Sequence, residues 1–319
     1  MNSVGIDISK GRSTIAVMRP FGEVAISPFE VRHTDSELSE LARRLKSLNG
    51  ETRVVMEATG NYHAPVAKQL HDAGLYVSVV NAKLVHGYGN NDLRRVKTDR
   101  KDAIKLANYG LDRWLTLPRY IPEENTRLLL KNCYRQYRQY SKVQTVLKNN
   151  LISLLDMTFP NANRLFNSPA RADGSEKWVD FVAEFWHCEC VSERPLKSFV
   201  NKYWRWCRKH GYNFSEEKAH AIYDEASGHI GVMPKSETTK LLVEQAVSQL
   251  SATSAALAVL KQEMQSLSSQ LPEYPVVMDM FGVGPTLGPQ LIAEIGDVRR
   301  FYSKKALVAY AGIDAPPND

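Results

Sequence analysis

The chain has 319 residues, enough for two or three domains and a substantial core. Its 41 Lys and Arg against 35 Asp and Glu leave a formal charge of +6, an excess compatible with a polyanionic partner but too small to require one. Four cysteines, Cys133, Cys188, Cys190 and Cys207, lack the number and spacing of a disulfide framework, which points to a reducing cytoplasm. The opening residues lack a basic region followed by an apolar run, and no apolar stretch approaches membrane-spanning length, so secretory and membrane classes are set aside.

Ser3 to Ser9 reads as a strand carrying Asp7; a turn at Lys10-Gly11-Arg12 leads to a second strand, Ser13 to Met18. Pro20-Phe21-Gly22 turns into a third, Glu23 to Phe29, giving three antiparallel strands in sequence. Thr34-Asp35-Ser36-Glu37 has the capping-box pattern and opens a helix to about Leu48. Arg53 to Met56 is a short buried strand ending at Glu57. Asn61-Tyr62 leads a helix through Asp72, stopped by Gly74, and Leu75 to Val80 is another apolar strand. Ala103 to Tyr109 reads as helix. The order predicts an α/β domain over residues 1–113, a mixed sheet with helices on its faces.

Four acids stand out. Asp7 interrupts the apolar run Val4-Gly5-Ile6-Asp7-Ile8, and a carboxylate inside such a strand is costly unless paired or metal-bound. Glu57 ends the fourth strand. Asp99 and Asp102 lie three apart, on or beside a helix, where that spacing shares a face. Hard divalent cations bind through a few carboxylate oxygens. Arg94, Arg95, Lys97, Arg100 and Lys101 around the last pair suit a polyanionic substrate, although such charge runs are often only a solvated helix start.

Gly5-Ile6-Asp7-Ile8-Ser9-Lys10, Met56-Glu57-Ala58-Thr59-Gly60-Asn61-Tyr62 and Lys97-Thr98-Asp99-Arg100-Lys101-Asp102-Ala103 together resemble the motifs of the Asp-Glu-Asp-Asp insertion-sequence transposases and the Piv-type DNA invertases, in the same order. The resemblance implies a RuvC-like, RNase H-type first domain. In it Asp7, Glu57, Asp99 and Asp102 would be catalytic metal ligands for Mg²⁺, with Mn²⁺ as a substitute. It also implies DNA as partner (element ends and target), an element-encoded guide RNA in some relatives, and a homo-oligomer, dimer or tetramer, on DNA.

Thr126 to Asp156 has no internal Gly or Pro and repeats Leu130, Tyr137, Gln144 and Leu151 every seven residues, beside Cys133, Tyr140, Leu147 and Leu154. Thr238 to Leu271 does likewise with Val243, Leu250, Leu257, Met264 and Leu271, beside Ala246, Thr253, Leu260 and Leu267. Residues 114–158 and 236–272 therefore read as a coiled-coil pair or a dimerisation surface, with plain core helices as the rival. Residues 159–235 read as a helical insert, with helices at Glu176–Trp186, Pro195–His210 and Glu216–Ala226. Within it, Lys202-Tyr203-Trp204-Arg205-Trp206-Cys207-Arg208-Lys209-His210 interleaves aromatic and basic residues. That suits stacking on RNA or unpaired DNA, but an amphipathic helix with Trp inside and Arg outside is the favoured reading. Cys188, Cys190, Cys207 and His210 have the residue types of a zinc site, yet Cys-x-Cys is tighter than usual, and reduced cysteines are favoured.

In residues 273–319, Phe281-Gly282-Val283-Gly284-Pro285-Thr286 is a glycine turn opening a helix through Ile295, and Ser303 caps another through Tyr310. Such a turn resembles a helix-hairpin-helix, whose backbone N–H groups at Gly282 and Gly284 can bind a DNA phosphate; tight helix packing explains it equally well. The segment also resembles the start of the transposases' second catalytic domain, where a nucleophilic serine follows a turn like Ala311-Gly312-Ile313. No such serine follows here, so the resemblance implies a chain truncated short of its nucleophile. The expected function is a DNA transposase or site-specific recombinase, cytoplasmic and Mg²⁺-dependent. The alternatives are a Holliday-junction-resolving type of metal-dependent nuclease, an actin-like ATPase lacking its Gly-rich loops, and a non-catalytic nucleic-acid scaffold.

Overall fold

A computed structural model describes residues 1–88 and 98–312, which fall into two compact units, Met1–Pro122 and Glu123–Asp319. The first is built on five strands: β1 Asn2–Ser9, β2 Arg12–Arg19, β3 Glu23–Arg32, β4 Thr52–Glu57 and β5 Tyr76–Val80. Their order is β3-β2-β1-β4-β5. β2 is antiparallel to both β1 and β3, while β4 runs parallel to β1 and β5 parallel to β4. Short hairpin turns account for the first half. The parallel half needs crossovers, supplied by α1 (Asp35–Lys46) and α2 (His63–Asp72).

Alternation along the strands sorts the two faces. Val4, Ile6, Ile8, Val54 and Met56 pack with Leu38, Leu41 and Leu45 of α1 and Val66 and Leu70 of α2. α3 (Ala82–His86) follows β5, capped by Asn81, which accepts a hydrogen bond from the Lys83 N–H at 2.9 Å. α4 (Asp99–Asp112) covers the other face. Backbone crowding shows how closely. A Cβ on Gly5 would lie 2.0 Å from the Ala103 carbonyl oxygen and 2.4 Å from the Ala107 nitrogen, and a Cβ on Gly110 would lie 2.3 Å from Ser3 Oγ. Beyond α4 the chain stays with this unit: Tyr120 N–H donates to Val77 O on β5, and the Arg53 guanidinium sits between the Tyr76 and Trp114 rings.

Two expectations need correcting here. The helix expected from Ala103 begins at Asp99, because Thr98 is its N-cap and accepts from the Lys101 N–H at 3.3 Å. The capping box at Thr34 is only half closed. Thr34 accepts from the Glu37 N–H, but the Glu37 carboxylate takes the Arg32 N–H at 2.7 Å instead of returning to Thr34.

In the second unit α5 (Asn125–Thr158) is followed by α6 (Lys177–Glu184), α7 (Glu189–Ser192), α8 (Leu196–His210), α9 (Glu216–Gly228) and α10 (Glu237–Ser269). α5 and α10 pack antiparallel: Leu130 lies with Met264, Leu267 and Leu271, while Leu151 and Leu155 lie with Val243, Ala246 and Leu250. Between them Gln144 Nε2 donates to the buried Ser254 Oγ at 2.9 Å, so the polar step of the seam has a polar partner. The expected companion rows are corrected at two places. Tyr140 is 36 % exposed, and Thr253 turns back to the Gln249 carbonyl while Ser254 takes the seam. A helix of 3.6 residues per turn drifts off a strict heptad over this length.

The helices α6 to α9 close around an aromatic cluster of Phe159, Phe181, Phe185, Phe199, Tyr203 and Trp206. Last come α11 (Tyr274–Met278), α12 (Leu287–Ile295) and α13 (Lys304–Tyr310). Ile292 and Ala293 of α12 pack on Leu130 and Met264, and the buried Arg127 makes a bidentate ion pair with Glu273. No helix among the described residues is long and apolar enough to cross a membrane.

Candidate active site

The register of β1 and β4 pairs Ile6 with Met56, so Asp7 and Glu57, each one residue on, stand side by side at the C-terminal ends of neighbouring parallel strands. Their strands are about 4.8 Å apart. Asp7 follows Ser3 and Gly5 in alternation, and Glu57 follows Val55; Ser3, Gly5 and Val55 all touch α4, so both acids belong to the face that α4 covers.

α4 supplies the other two. Its sheet-facing stripe is Ala103, Leu106, Ala107 and Gly110, and Asp99 and Asp102 extend that stripe into the first turn. The helix runs against β1, since Gly110 lies over Ser3 and Ala103 and Ala107 lie over Gly5. One turn back along the helix, about 5.4 Å, reaches Asp99 and Asp102. Two residues forward along β1, about 6.7 Å, reach Asp7. All four acids thus gather at one end of one face. Asp102 is half-buried and Asp99 exposed. Among the described residues no three Asp, Glu, His or Cys side chains approach closely enough to hold a single ion. The fold juxtaposes the carboxylates without closing them into a coordination shell.

Arg100 and Lys101 are exposed on the first turn of α4. Arg94, Arg95 and Lys97 lie outside the described residues. His63, which the sequence did not single out, opens α2 just after the Glu57-to-Tyr62 motif. Burial lowers its pKa, partly offset by backbone hydrogen bonds at Thr59 and Gly60. Burial of a histidine is set by tertiary packing, so no local signal could have found it.

The remaining candidates are scattered. Gly282 has φ +79° in an exposed turn between α11 and α12, and a side chain at Gly282 or Gly284 would meet open space, so tight helix packing does not explain these glycines. Cys188 and Cys207 are buried in the aromatic core, Cys190 is half-buried, and His210 stacks on Tyr212 and lies tilted against Trp206. The four do not form a metal-binding group.

Residues 4–160 match the Asp-Glu-Asp-Asp transposase family of IS110 type, and residues 274–319 match the transposase IS116/IS110/IS902 family. The chain belongs to the IS110/IS116 transposase family. It is 27 % identical over 134 residues to the pilin gene-inverting proteins of Moraxella bovis and Moraxella lacunata, a match spanning 42 % of this chain and 38 % of each relative. It is 23 % identical over 317 residues to an uncharacterized 44.8 kDa protein of insertion element IS116 from Streptomyces clavuligerus, covering 99 % of this chain and 76 % of that one.

Proposed function

We propose that this chain takes part in DNA strand cleavage and exchange for an insertion sequence, with Asp7, Glu57, Asp99 and Asp102 holding Mg²⁺, or Mn²⁺ in its place. The observation that carries the reading is the gathering of these acids from β1, β4 and α4 at one end of one sheet face. Their donor chemistry fits a hard cation, which takes carboxylate oxygens. When bound, the ion offsets charge on the non-bridging oxygens of a DNA phosphate. The chain's own groups do the rest. The carboxylates fix where the phosphate sits, and Arg100 and Lys101 meet flanking phosphates. The strand order, three antiparallel strands followed by two parallel ones, supports an RNase H-type first unit. The likeness to the Moraxella pilin gene-inverting proteins supports DNA recombination.

In this reading a serine hydroxyl attacks the phosphodiester; the bond to the leaving deoxyribose oxygen breaks as the phosphoserine link forms, and the serine proton passes to that oxygen or to solvent. Asp7, Glu57, Asp99 and Asp102 are assigned the metal, and Arg100 and Lys101 the DNA. A structured guide RNA and a second copy of the chain are the further partners of the proposal.

The test is a Mn²⁺ titration read by water-proton relaxation on the full chain, wild type against Asp7→Asn and Asp102→Asn. Loss of one carboxylate ligand should weaken affinity at least about tenfold, on the scale of perturbing a metal site. Unchanged affinity in both variants would overturn the metal reading and leave a non-catalytic nucleic-acid scaffold.

A further inference from the structure

The aromatic-basic stretch of α8 divides between two environments. Tyr203, Trp206 and Cys207 are fully inside the core, as expected of an amphipathic helix. Trp204 is not: it is 41 % exposed, with the Arg208 guanidinium 5.0 Å from its ring centre. Lys197, Asn201, Trp204, Arg205 and Arg208 recur at helical spacing and form the solvent face of α8.

That face is one-signed. α8 contains Lys197, Lys202, Arg205, Arg208 and Lys209 and no Asp or Glu. Lys202 pairs with Glu184 at 3.3 Å. Among the described residues Lys197, Arg205, Arg208 and Lys209 have no ion-pair partner; on α9, Glu216 lies near His220 and Glu225 pairs with His229. Helix stability does not require this pattern. The dipole explains cations in the last turn, but it disfavours Lys197 in the first turn, where no acid compensates. Leaving the largest apolar side chain half in water also forgoes burial that the adjoining core could have provided.

An exposed ring between unpaired guanidinium groups is what a single strand of nucleic acid binds: the ring stacks on a base, which is accessible only when unpaired, and the cations meet the flanking phosphates. We propose that the solvent face of α8, centred on Trp204, binds unpaired DNA such as a strand released during exchange. The inference rests on the DNA reading above and adds a second contact surface, in residues 161–273 that neither family match reaches.

The experiment measures binding of the full chain to fluorescein-labelled dT20 by anisotropy, with a 20-base-pair duplex and U20 alongside. Trp204→Ala should weaken dT20 binding about 5- to 100-fold, the scale of one stacked base, with duplex binding unchanged. Trp204→Phe should retain most of the affinity. In the unmodified chain, dT20 should shield tryptophan emission from acrylamide, since Trp114, Trp178, Trp186 and Trp206 are already buried. Unchanged dT20 affinity in Trp204→Ala, an equal loss on the duplex, no shielding, or tighter binding of U20 would each overturn the proposal. Failure of the metal reading is separately visible, because Mn²⁺ affinity then stays constant in Asp102→Asn while dT20 shielding persists.

Discussion

Gly5 and Gly110 allow α4 to lie directly on the backbone of β1, and this contact carries the first turn of the helix to the level of Asp7. Gly5→Ala should therefore cost about 2–3 kcal/mol, as overpacking against rigid backbone does, and should also weaken Mn²⁺ binding by moving Asp99 and Asp102. Urea unfolding alongside the relaxation titration checks both; a loss of stability with unchanged metal affinity would separate packing from the site. His33 and His63 give the first unit a pH dependence. Burial lowers both pKa values in the folded chain, so the unfolded chain takes up the proton first. Their contribution is fully present above about pH 6.5 and is lost as pH falls toward the lowered values. The thermal midpoint of the first unit should drop between about pH 7.5 and 5.5, and His63→Gln should flatten that slope.

At the scale of elements, the α5–α10 pair shows how a seam tolerates a polar step. Gln144 is matched by Ser254 across the interface. Ser254→Ala should cost about 1 kcal/mol by leaving the Gln144 amide unpaired, whereas Gln144→Leu with Ser254→Ala should recover it; a double-mutant cycle in urea reads the coupling. At the other end of the pair, Arg127 on α5 holds Glu273 and also approaches Glu124 and the Gly296 carbonyl, linking α5 to the segment around α11 and α12. The Arg127 hydrogen bond lowers the pKa of Glu273, so this link is present above the ordinary glutamate range and is released only in stronger acid. Arg127→Ala, which leaves the half-buried Glu273 carboxylate without its partner, should destabilise the second unit by about 1–3 kcal/mol. Arg127→Met with Glu273→Leu should be much milder.

The two units have separate hydrophobic cores, one around Ile6, Met56 and Leu45, the other around Phe181, Phe199 and Trp206. Calorimetry should resolve two transitions, with Gly5→Ala lowering one and Arg127→Ala the other. A single transition moved equally by both variants would show that the cores melt together.

Much of this was legible along the chain because periodicity is local. The strand alternation around Asp7, the gapless run of α5 and the caps at Thr34 and Ser303 each need only a few neighbouring residues, and the four acids were marked by motif likeness. What a linear reading could not decide is which way a side chain turns once distant segments meet. Trp204 and Trp206 look alike in sequence, but packing buries one and exposes the other. Ser254, not Thr253, enters the seam because helical drift accumulates over many turns. Asp7, Glu57 and the start of α4 share one end of a sheet face only because strand register and two glycines bring residues about fifty and ninety positions apart to the same level, and that proximity exists only in the folded chain.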